Sequence, residues 1–192
     1  ERCVNLTSVV IPENVRNVDN DAFHGCKSLT SILVPDRVEY IGANTWTGCT
    51  NVTSVHIGSG LRSVNVNPFS ELENVEAFEV SADNAYYASI DGILMSKDGK
   101  TLVSYPAGKR NEEFVIADTI TTVCSNAFRG CVYLKRLTIT QDSQVSKDEQ
   151  NGYWYINSLE ELTLNEGVAG IGFFAFTGCV GLKTIHFPKT LG

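Results

Sequence analysis

The 23 residues from Cys26 to Gly48 read CKSLTSILVPDRVEYIGANTWTG, and the next 23 residues read CTNVTSVHIGSGLRSVNVNPFSE. The two stretches align without a gap. Each carries three apolar residues in the spacing L-x-x-L-x-L, which Leu29, Ile32 and Val34 occupy in the first stretch. Such a short alternating phrase is typical of a strand with one buried face. Repetition at a fixed period of this length is typical of a repeat protein.

The same period extends over most of the chain. The rows of the repeat start at Cys3, Cys26, Cys49, Leu72, Gly108, Cys131, Ile156 and Cys179. An aromatic residue stands three positions before each of the seven row starts that follow Cys3: Phe23, Trp46, Phe69, Tyr105, Phe128, Tyr153 and Phe176. One row cannot bury its own apolar residues, whereas stacking equivalent residues of successive rows builds a continuous core.

We therefore predict a solenoid of about eight rungs that forms one domain over residues 1–192. The expected architecture is a right-handed superhelix of the α/β type that is mostly β. A parallel sheet is expected on one face, because equivalent strands of successive rows lie side by side. Short helical or irregular turns are expected on the other face.

Two rows depart from the period. The row that starts at Leu72 has 36 residues before Gly108, and its surplus contains Asp91-Gly92 between apolar alternations. This pattern predicts a β-hairpin insertion at about residues 84–106. The row from Cys131 to Ile156 has 25 residues and a polar second half, which predicts an irregular, solvated loop at about residues 141–155.

Composition and charge exclude several classes of protein. The chain is 43% hydrophobic and contains no run of 18 apolar residues, so we expect no membrane insertion. A net charge of −7 without a cluster of Lys and Arg argues against nucleic acid as a partner. The chain begins at Glu1 with neither an initiator Met nor a signal peptide, so we expect a segment of a longer protein.

The phrase LTSILVP at residues 29–35, together with AFRGC at residues 127–131, resembles the BspA-like class of leucine-rich repeats. The resemblance covers essentially the whole chain, with Glu71-Leu72 in place of Gly-Cys and Thr45-Trp46 in place of Ala-Phe. It implies a leucine-rich-repeat solenoid. It also implies a secreted or cell-surface protein of bacteria or parasitic protists that serves adhesion and protein–protein contact. Repeat folds host many unrelated partners, so the resemblance names none.

Five of the six cysteines share the repeat position at the row start, where a small buried apolar residue is needed: Cys3, Cys26, Cys49, Cys131 and Cys179. We expect free buried thiols there, although neighbours such as Cys26 and Cys49 lie within reach of a disulfide. Cys124 stands outside this column and is the better candidate for an exposed thiol. The sequence has no C-x-x-C motif, so we expect no metal site and no cofactor.

The sequence contains no catalytic constellation. No serine, cysteine or carboxylate stands at a spacing that would complete a nucleophile–base pair with a histidine. His56 and His186 share a repeat position but are five rungs apart, roughly 24 Å by strand spacing, so they cannot share a metal ion. We therefore predict that the protein is not an enzyme.

The candidate binding residues point outward from the predicted sheet or stand in the irregular segments. Those on the sheet face are His56, Glu79, Arg136, Glu161 and His186. Exposed aromatic residues on loops often anchor interfaces, which favours Tyr86 and Trp154, while the repeat spacing assigns Tyr153 to the core. Two functions stay open: a module that binds an extracellular protein or glycan, and a structural spacer that displays another domain. Outward residues that are mostly small favour the spacer.

Overall fold

The computed structural model describes residues 2–140, 154–168 and 176–189. Over these ranges the chain forms a β-solenoid of about seven turns, close to the number predicted. Its strands, in chain order, are β1 (Asn17–Val18), β2 (Ser31–Val34), β3 (Tyr40–Ile41), β4 (Ser54–Ile57), β5 (Ser63–Val64), β6 (Phe78–Val80), β7 (Tyr87–Ile90), β8 (Ile93–Ser96), β9 (Thr101–Ser104), β10 (Glu113–Ile116), β11 (Thr122–Val123), β12 (Arg136–Ile139), β13 (Glu161–Leu164) and β14 (Thr184–His186).

The longer strands of successive rows pair in parallel and form two outer sheets. The N-terminal outer sheet has the order β2-β4-β6, and the C-terminal outer sheet has the order β10-β12-β13-β14. Equivalent residues of neighbouring rows lie side by side, so that Ile32 is opposite Val55 and Val55 is opposite Phe78. The parallel sheet predicted from the repeat is therefore confirmed.

The register of these sheets follows from burial on one face. In β2 the side chains of Ile32 and Val34 are buried, whereas those of Ser31 and Leu33 are exposed. Because side chains alternate along a strand, a slip of one residue would put Leu33 in the core and Ile32 in water. The L-x-x-L-x-L phrase thus fixes which residues face outward.

A second set of parallel strands, each two residues long, follows the turn side of the first three rows. It has the order β1-β3-β5, and its inward residues Val18 and Ile41 are buried. The ranges that the structure describes contain no helix. Of the two kinds of turn expected on this side, the irregular kind is therefore the one observed.

Aromatic rings from successive rows stack inside the solenoid. The ring centroids of Phe23 and Trp46 are 5.9 Å apart, and those of Trp46 and Phe69 are 5.4 Å apart. In the C-terminal half the column consists of Tyr105, Phe128, Trp154 and Phe176, with separations of 5.4, 5.6 and 5.7 Å. In these stacks the largest apolar side chains contact one another instead of water.

The prediction that Trp154 is an exposed anchor is wrong. Its side chain is only 1% exposed and lies between Phe128 and Phe176 in the aromatic column. The indole has the largest apolar surface of any side chain. Its burial in the core therefore stabilises the fold, whereas its exposure to water would not. Tyr153, to which the spacing assigned this place, lies outside the described residues, as does the rest of the predicted loop before Trp154.

One turn carries a glutamate at the position before the row start, where the two preceding turns have glycine. Gly25 and Gly48 precede their row starts with φ of 69° and 76°, and Glu71 takes the same place with φ of 62°. This conformation costs energy for a residue with a Cβ atom. The Glu71 carboxylate accepts a hydrogen bond from Arg129 Nε at 2.7 Å, and the Glu71 N–H donates to the Arg129 carbonyl at 3.1 Å. The ion pair therefore ties the third turn directly to the fifth.

The predicted hairpin insertion is confirmed and forms part of a three-stranded meander. Strands β7, β8 and β9 pair antiparallel in sequence, and β9 then pairs in parallel with β11. Asp91 and Gly92 connect β7 to β8 with φ of 51° and 77°. Positive φ at both central residues is what a type I′ hairpin turn requires.

The meander lies between two hydrophobic cores. Leu94 and Val103 belong to the core of the N-terminal half, whereas Ile93, Met95 and Leu102 belong to the core of the C-terminal half. Strands buried on both faces have continuous apolar runs, which explains the composition of β8 and β9. The insertion therefore extends both cores instead of projecting from the solenoid.

Candidate interaction surface

The outward face of the N-terminal outer sheet carries a column that begins with two aliphatic side chains. Val10 and Leu33 occupy the same repeat position on the first two rows and are 87% and 63% exposed. His56 and Glu79 continue the column on β4 and β6. Adjacent exposed aliphatic side chains are a common mark of an interaction site.

A groove of about 610 Å³ follows this column at the carboxyl ends of the strands. It is lined on successive rows by residues 10–13, 33–36, 56–58 and 79–81. Pro12 and Pro35 stand at its wall, where their missing N–H groups leave fewer backbone donors. The volume is within the range of about 300–1,000 Å³ that is usual for ligand sites.

The rim of the groove is acidic. It contains the carboxylates of Glu13, Asp36 and Glu79. His56 Nε2 lies 2.6 Å from the Glu79 carboxylate. The backbone N–H of Ser59 donates to Asp36 at 2.7 Å, and this hydrogen bond lowers the pKa of the Asp36 carboxyl group. The groove therefore combines an apolar lining with negative charge.

The C-terminal outer sheet presents paired charges instead. Arg136 on β12 donates a hydrogen bond from Nε to the Glu113 carboxylate on β10 at 2.8 Å. His186 Nε2 on β14 lies 2.8 Å from Glu161 Oε1 on β13. Each of these pairs joins neighbouring strands, so the side chains satisfy one another.

A second set of ion pairs lies one residue before these strands. Lys135 Nζ donates to the Glu112 carboxylate at 2.6 Å, and Lys183 Nζ donates to the Glu160 carboxylate at 2.7 Å. These hydrogen bonds lower the pKa of both Glu112 and Glu160. Acidic and basic side chains therefore alternate from row to row along this edge.

A polar depression of about 450 Å³ lies on the turn side of the N-terminal half. Its lining consists of Arg16, Asp36, Arg37, Glu39, Ser59, Gly60, Arg62 and Tyr86. Tyr86 is 51% exposed. Asp36 lines both this depression and the apolar groove, so the two sites adjoin.

The residues predicted to bind a partner fall in four separate places. They are His56 and Glu79 in the groove, Tyr86 in the polar depression, Arg136, Glu161 and His186 on the C-terminal outer sheet, and Trp154 in the core. Sequence reasoning passed over Val10 and Leu33, although two aliphatic residues at one outward position are a readable signal. It also missed Arg16 and Arg62, which lie two repeat periods apart on either side of Glu39.

The cysteines contribute no disulfide. Cys26, Cys49, Cys131 and Cys179 are free and buried, as predicted, and burial raises the pKa of the Cys49 thiol to about 11. Two expectations are wrong: Cys3 is exposed, and Cys124 is half-buried.

Two other kinds of site are absent from residues 2–140, 154–168 and 176–189. No group of three His, Cys, Asp or Glu side chains there could hold a metal ion. No helix in those ranges is long and apolar enough to cross a membrane.

The sequence matches the model of the BspA type leucine rich repeat region in six copies, over residues 1–89 and 107–192. The chain belongs to the BspA-type leucine-rich repeat family. The unmatched residues 90–106 contain β8 and β9, so these two strands of the meander are an insertion relative to the family repeat. No curated protein matches the sequence significantly.

Several solved structures are similar to this BspA-type chain. The pneumococcal vaccine antigen PcpA has a TM-score of 0.56 at 20% identity, with 94% of this chain and 50% of that chain covered. A leucine rich cell surface protein of Faecalibacterium prausnitzii has a TM-score of 0.54 at 21% identity, with 97% and 67% covered. A leucine-rich repeat protein from Eubacterium ventriosum has a TM-score of 0.52 at 16% identity, with 92% and 71% covered. The likeness is one of fold, and this chain spans half the length of the PcpA chain.

Proposed function

We propose that this chain is a non-enzymatic protein-interaction module of a secreted or cell-surface bacterial protein. Its partner is an extracellular protein, bound in the groove of the N-terminal outer sheet. Membership of the BspA-type family supports an interaction role, and the description of the F. prausnitzii protein supports the location. The observation that carries the proposal is the exposed aliphatic pair of Val10 and Leu33.

The chemistry of the groove indicates the kind of segment that binds. Val10 and Leu33 would pack against aliphatic or aromatic side chains of the partner, since burial of apolar surface drives association. Glu13, Asp36 and Glu79 at the rim favour Lys or Arg beside those apolar residues. The net charge of −7 would also attract a basic partner at long range.

The second candidate function, a structural spacer, is favoured by observations in the C-terminal half. Trp154 is buried, so it is not available as a loop anchor there. The outward side chains of Arg136 and Glu161 already contact Glu113 and His186. In that case the C-terminal half would support the half that contains the groove and would make no contacts with the partner.

The test is a selection of binding peptides, followed by binding to immobilised extracellular-matrix proteins. A displayed peptide library is expected to yield apolar segments flanked by Lys or Arg. The variant Val10→Ser/Leu33→Lys should then bind about tenfold more weakly or worse, because it loses the apolar contact. Val115→Ser is the matched control, since Val115 holds the same repeat position on β10 and is 54% exposed.

Two results would contradict the proposal. If the control loses as much affinity as the groove variant, the groove is not the site. If the unaltered chain shows no saturable binding to any peptide or matrix protein, the spacer function is favoured instead.

A further inference from the structure

The polar depression beside the groove concentrates positive charge in a chain that is negative overall. It is lined by Arg16, Arg37 and Arg62 against the carboxylates of Asp36 and Glu39, while the chain as a whole has a net charge of −7. Such a local reversal of charge is not needed for solubility. It therefore indicates a function of the depression itself.

The arginines hold more donors than the two carboxylates can accept. Glu39 accepts from Arg16 on the preceding row and lies 3.3 Å from Arg62 Nη2 on the following row. Asp36 already accepts the Ser59 N–H. Arg37 forms no ion pair with any residue that the structure describes. Because each guanidinium carries five N–H donors in a planar fork, the depression presents unused donors to solvent.

The repeat sets the spacing of these charges. Arg16, Glu39 and Arg62 occupy one repeat position on three successive rows. With about 4.8 Å between rows, the two outer arginines are separated by about 10 Å, with the third arginine close to the middle row. A ligand group with two or three anionic oxygens can therefore accept hydrogen bonds from two guanidinium groups, one on each side of it.

A buried amide holds the aromatic member of the site in place. Asn84 is 1% exposed, and its Nδ2 donates to the carbonyl oxygens of Gly58 and Leu61 at 2.8 and 3.2 Å. Its Oδ1 accepts the N–H groups of Tyr86 and Tyr87 at 2.9 and 2.8 Å. These four hydrogen bonds fix the backbone of Tyr86 against the third turn, which restricts the region that its ring can occupy before a ligand binds.

We propose that this depression binds an acidic sugar, with the arginines holding its carboxylate or sulfate group and the Tyr86 ring packing on its face. A sugar ring has an apolar C–H face and several hydroxyl groups, which match an aromatic ring beside the Ser59 hydroxyl and the carboxylates of Asp36 and Glu39. The net charge of −7 disfavours a long polyanion, so a short oligosaccharide with few charges fits best. This proposal does not depend on the protein partner of the groove.

The probes for its test are a sulfated, uronate-containing disaccharide, its neutral counterpart, inorganic sulfate and an acidic peptide. Titration calorimetry or NMR titration should show binding of the charged disaccharide that weakens as salt is added. The variant Arg37→Gln/Arg62→Gln should bind it about tenfold more weakly, because charge-assisted hydrogen bonds are lost. Tyr86→Ala should weaken binding of the disaccharide and leave that of sulfate unchanged.

The matched control is Arg110→Gln, because Arg110 is an exposed arginine paired with Glu76 outside the depression. It should bind the disaccharide as the unaltered chain does, and thermal unfolding should show that all variants are folded. Equal binding of the neutral disaccharide, or an equal loss in Arg110→Gln, would overturn the proposal. So would tighter binding of the acidic peptide, which would indicate a protein ligand, or binding of sulfate with no binding of the disaccharide, which would indicate an adventitious ion only. The variant Val10→Ser/Leu33→Lys should keep the sugar site, which separates this test from that of the groove.

Discussion

The two outer sheets share one backbone plan and one kind of interior, yet their outward faces differ. Ile32 on β2 and Leu137 on β12 hold the same inward position and are 2% and 1% exposed. At the outward positions, Leu33 is exposed to solvent without an apolar cover, whereas Arg136 is bonded to Glu113 on the next strand. The repeat therefore constrains the interior and leaves the outward positions free to vary.

The difference indicates where binding energy is available. Paired side chains such as Arg136 and Glu113 would have to break their ion pair before they could bind a partner. The net gain in binding free energy would therefore be small. Exposed aliphatic side chains such as Val10 and Leu33 gain by leaving water. We therefore expect the two halves to respond alike to changes inside the solenoid and differently to changes on its surface.

The largest expected effect is on the interior, where the halves should behave alike. Trp46→Ala and Trp154→Ala should each lower the free energy of unfolding by about 3–5 kcal/mol, because both rings are buried between two aromatic neighbours. Urea denaturation followed by circular dichroism measures the loss. Tyr86→Ala is the control and should change stability by about 0.5 kcal/mol or less, as its ring is half exposed. A loss below about 1 kcal/mol for Trp154→Ala would show that its ring is not part of the core.

The next effect concerns the junction between the halves. Asn84→Ala should lower the free energy of unfolding by about 2–3 kcal/mol, because it removes the side-chain partner of the Tyr86 and Tyr87 N–H groups and of the Gly58 and Leu61 carbonyl oxygens. Hydrogen exchange should show faster opening of β7 than of β4 in this variant. Asn51→Ala, at an exposed position, is the control. A change in Asn84→Ala no larger than in the control would contradict the anchoring role.

Much of this architecture could be predicted from the sequence because the period of 23 residues turns sequence distance into contact. The pairing of Ile32 with Val55 follows from the repeat alone. Even the ion pair of Lys135 with Glu112 joins residues 23 positions apart. The hairpin at Asp91-Gly92 was equally readable, since it rests on local turn chemistry.

The remaining features depend on packing that crosses the period. Tyr153 and Trp154 are adjacent in a row of 25 residues, so counting positions could not show that Trp154 fills the aromatic column. The contact of Glu71 with Arg129 spans 58 residues, because the meander intervenes between the turns that meet. The groove and the polar depression likewise arise from the side chains of three or more rows together, and no single row contains either.

A smaller effect should separate the two outward faces. Leu33→Ser should shorten retention on a hydrophobic-interaction column more than Val115→Ser does, although the two side chains are similarly exposed. The physical reason is that Leu33 adjoins Val10 in a continuous apolar surface, whereas Val115 lies on the sheet of paired charges. Neither change should alter stability by more than about 0.5 kcal/mol. Equal shortening in both variants would show that the apolar column is not a continuous surface.

The smallest effect concerns the ion pairs of the C-terminal half and their dependence on pH. The pKa values of Glu112 and Glu160 are lowered in the folded protein by Lys135 and Lys183, so these pairs stabilise the fold above the usual carboxyl pKa of 4.5. Their contribution is lost as the pH falls from that value through the lower pKa of the folded state. Glu112→Gln/Glu160→Gln should therefore be slightly less stable than the unaltered chain at pH 7, and the difference should vanish in acid and shrink in high salt.

Glu73→Gln serves as the control for this measurement, because Glu73 is exposed and forms no ion pair within the described ranges. Denaturation midpoints measured from pH 3 to pH 7 should be the same for the control and the unaltered chain. If the double variant and the unaltered chain instead keep a constant difference down to the acid end, the carboxylates stabilise the sheet by packing and not by charge. The contrast between the two faces would then be one of shape, and the C-terminal outer sheet would be as open to a partner as the N-terminal one.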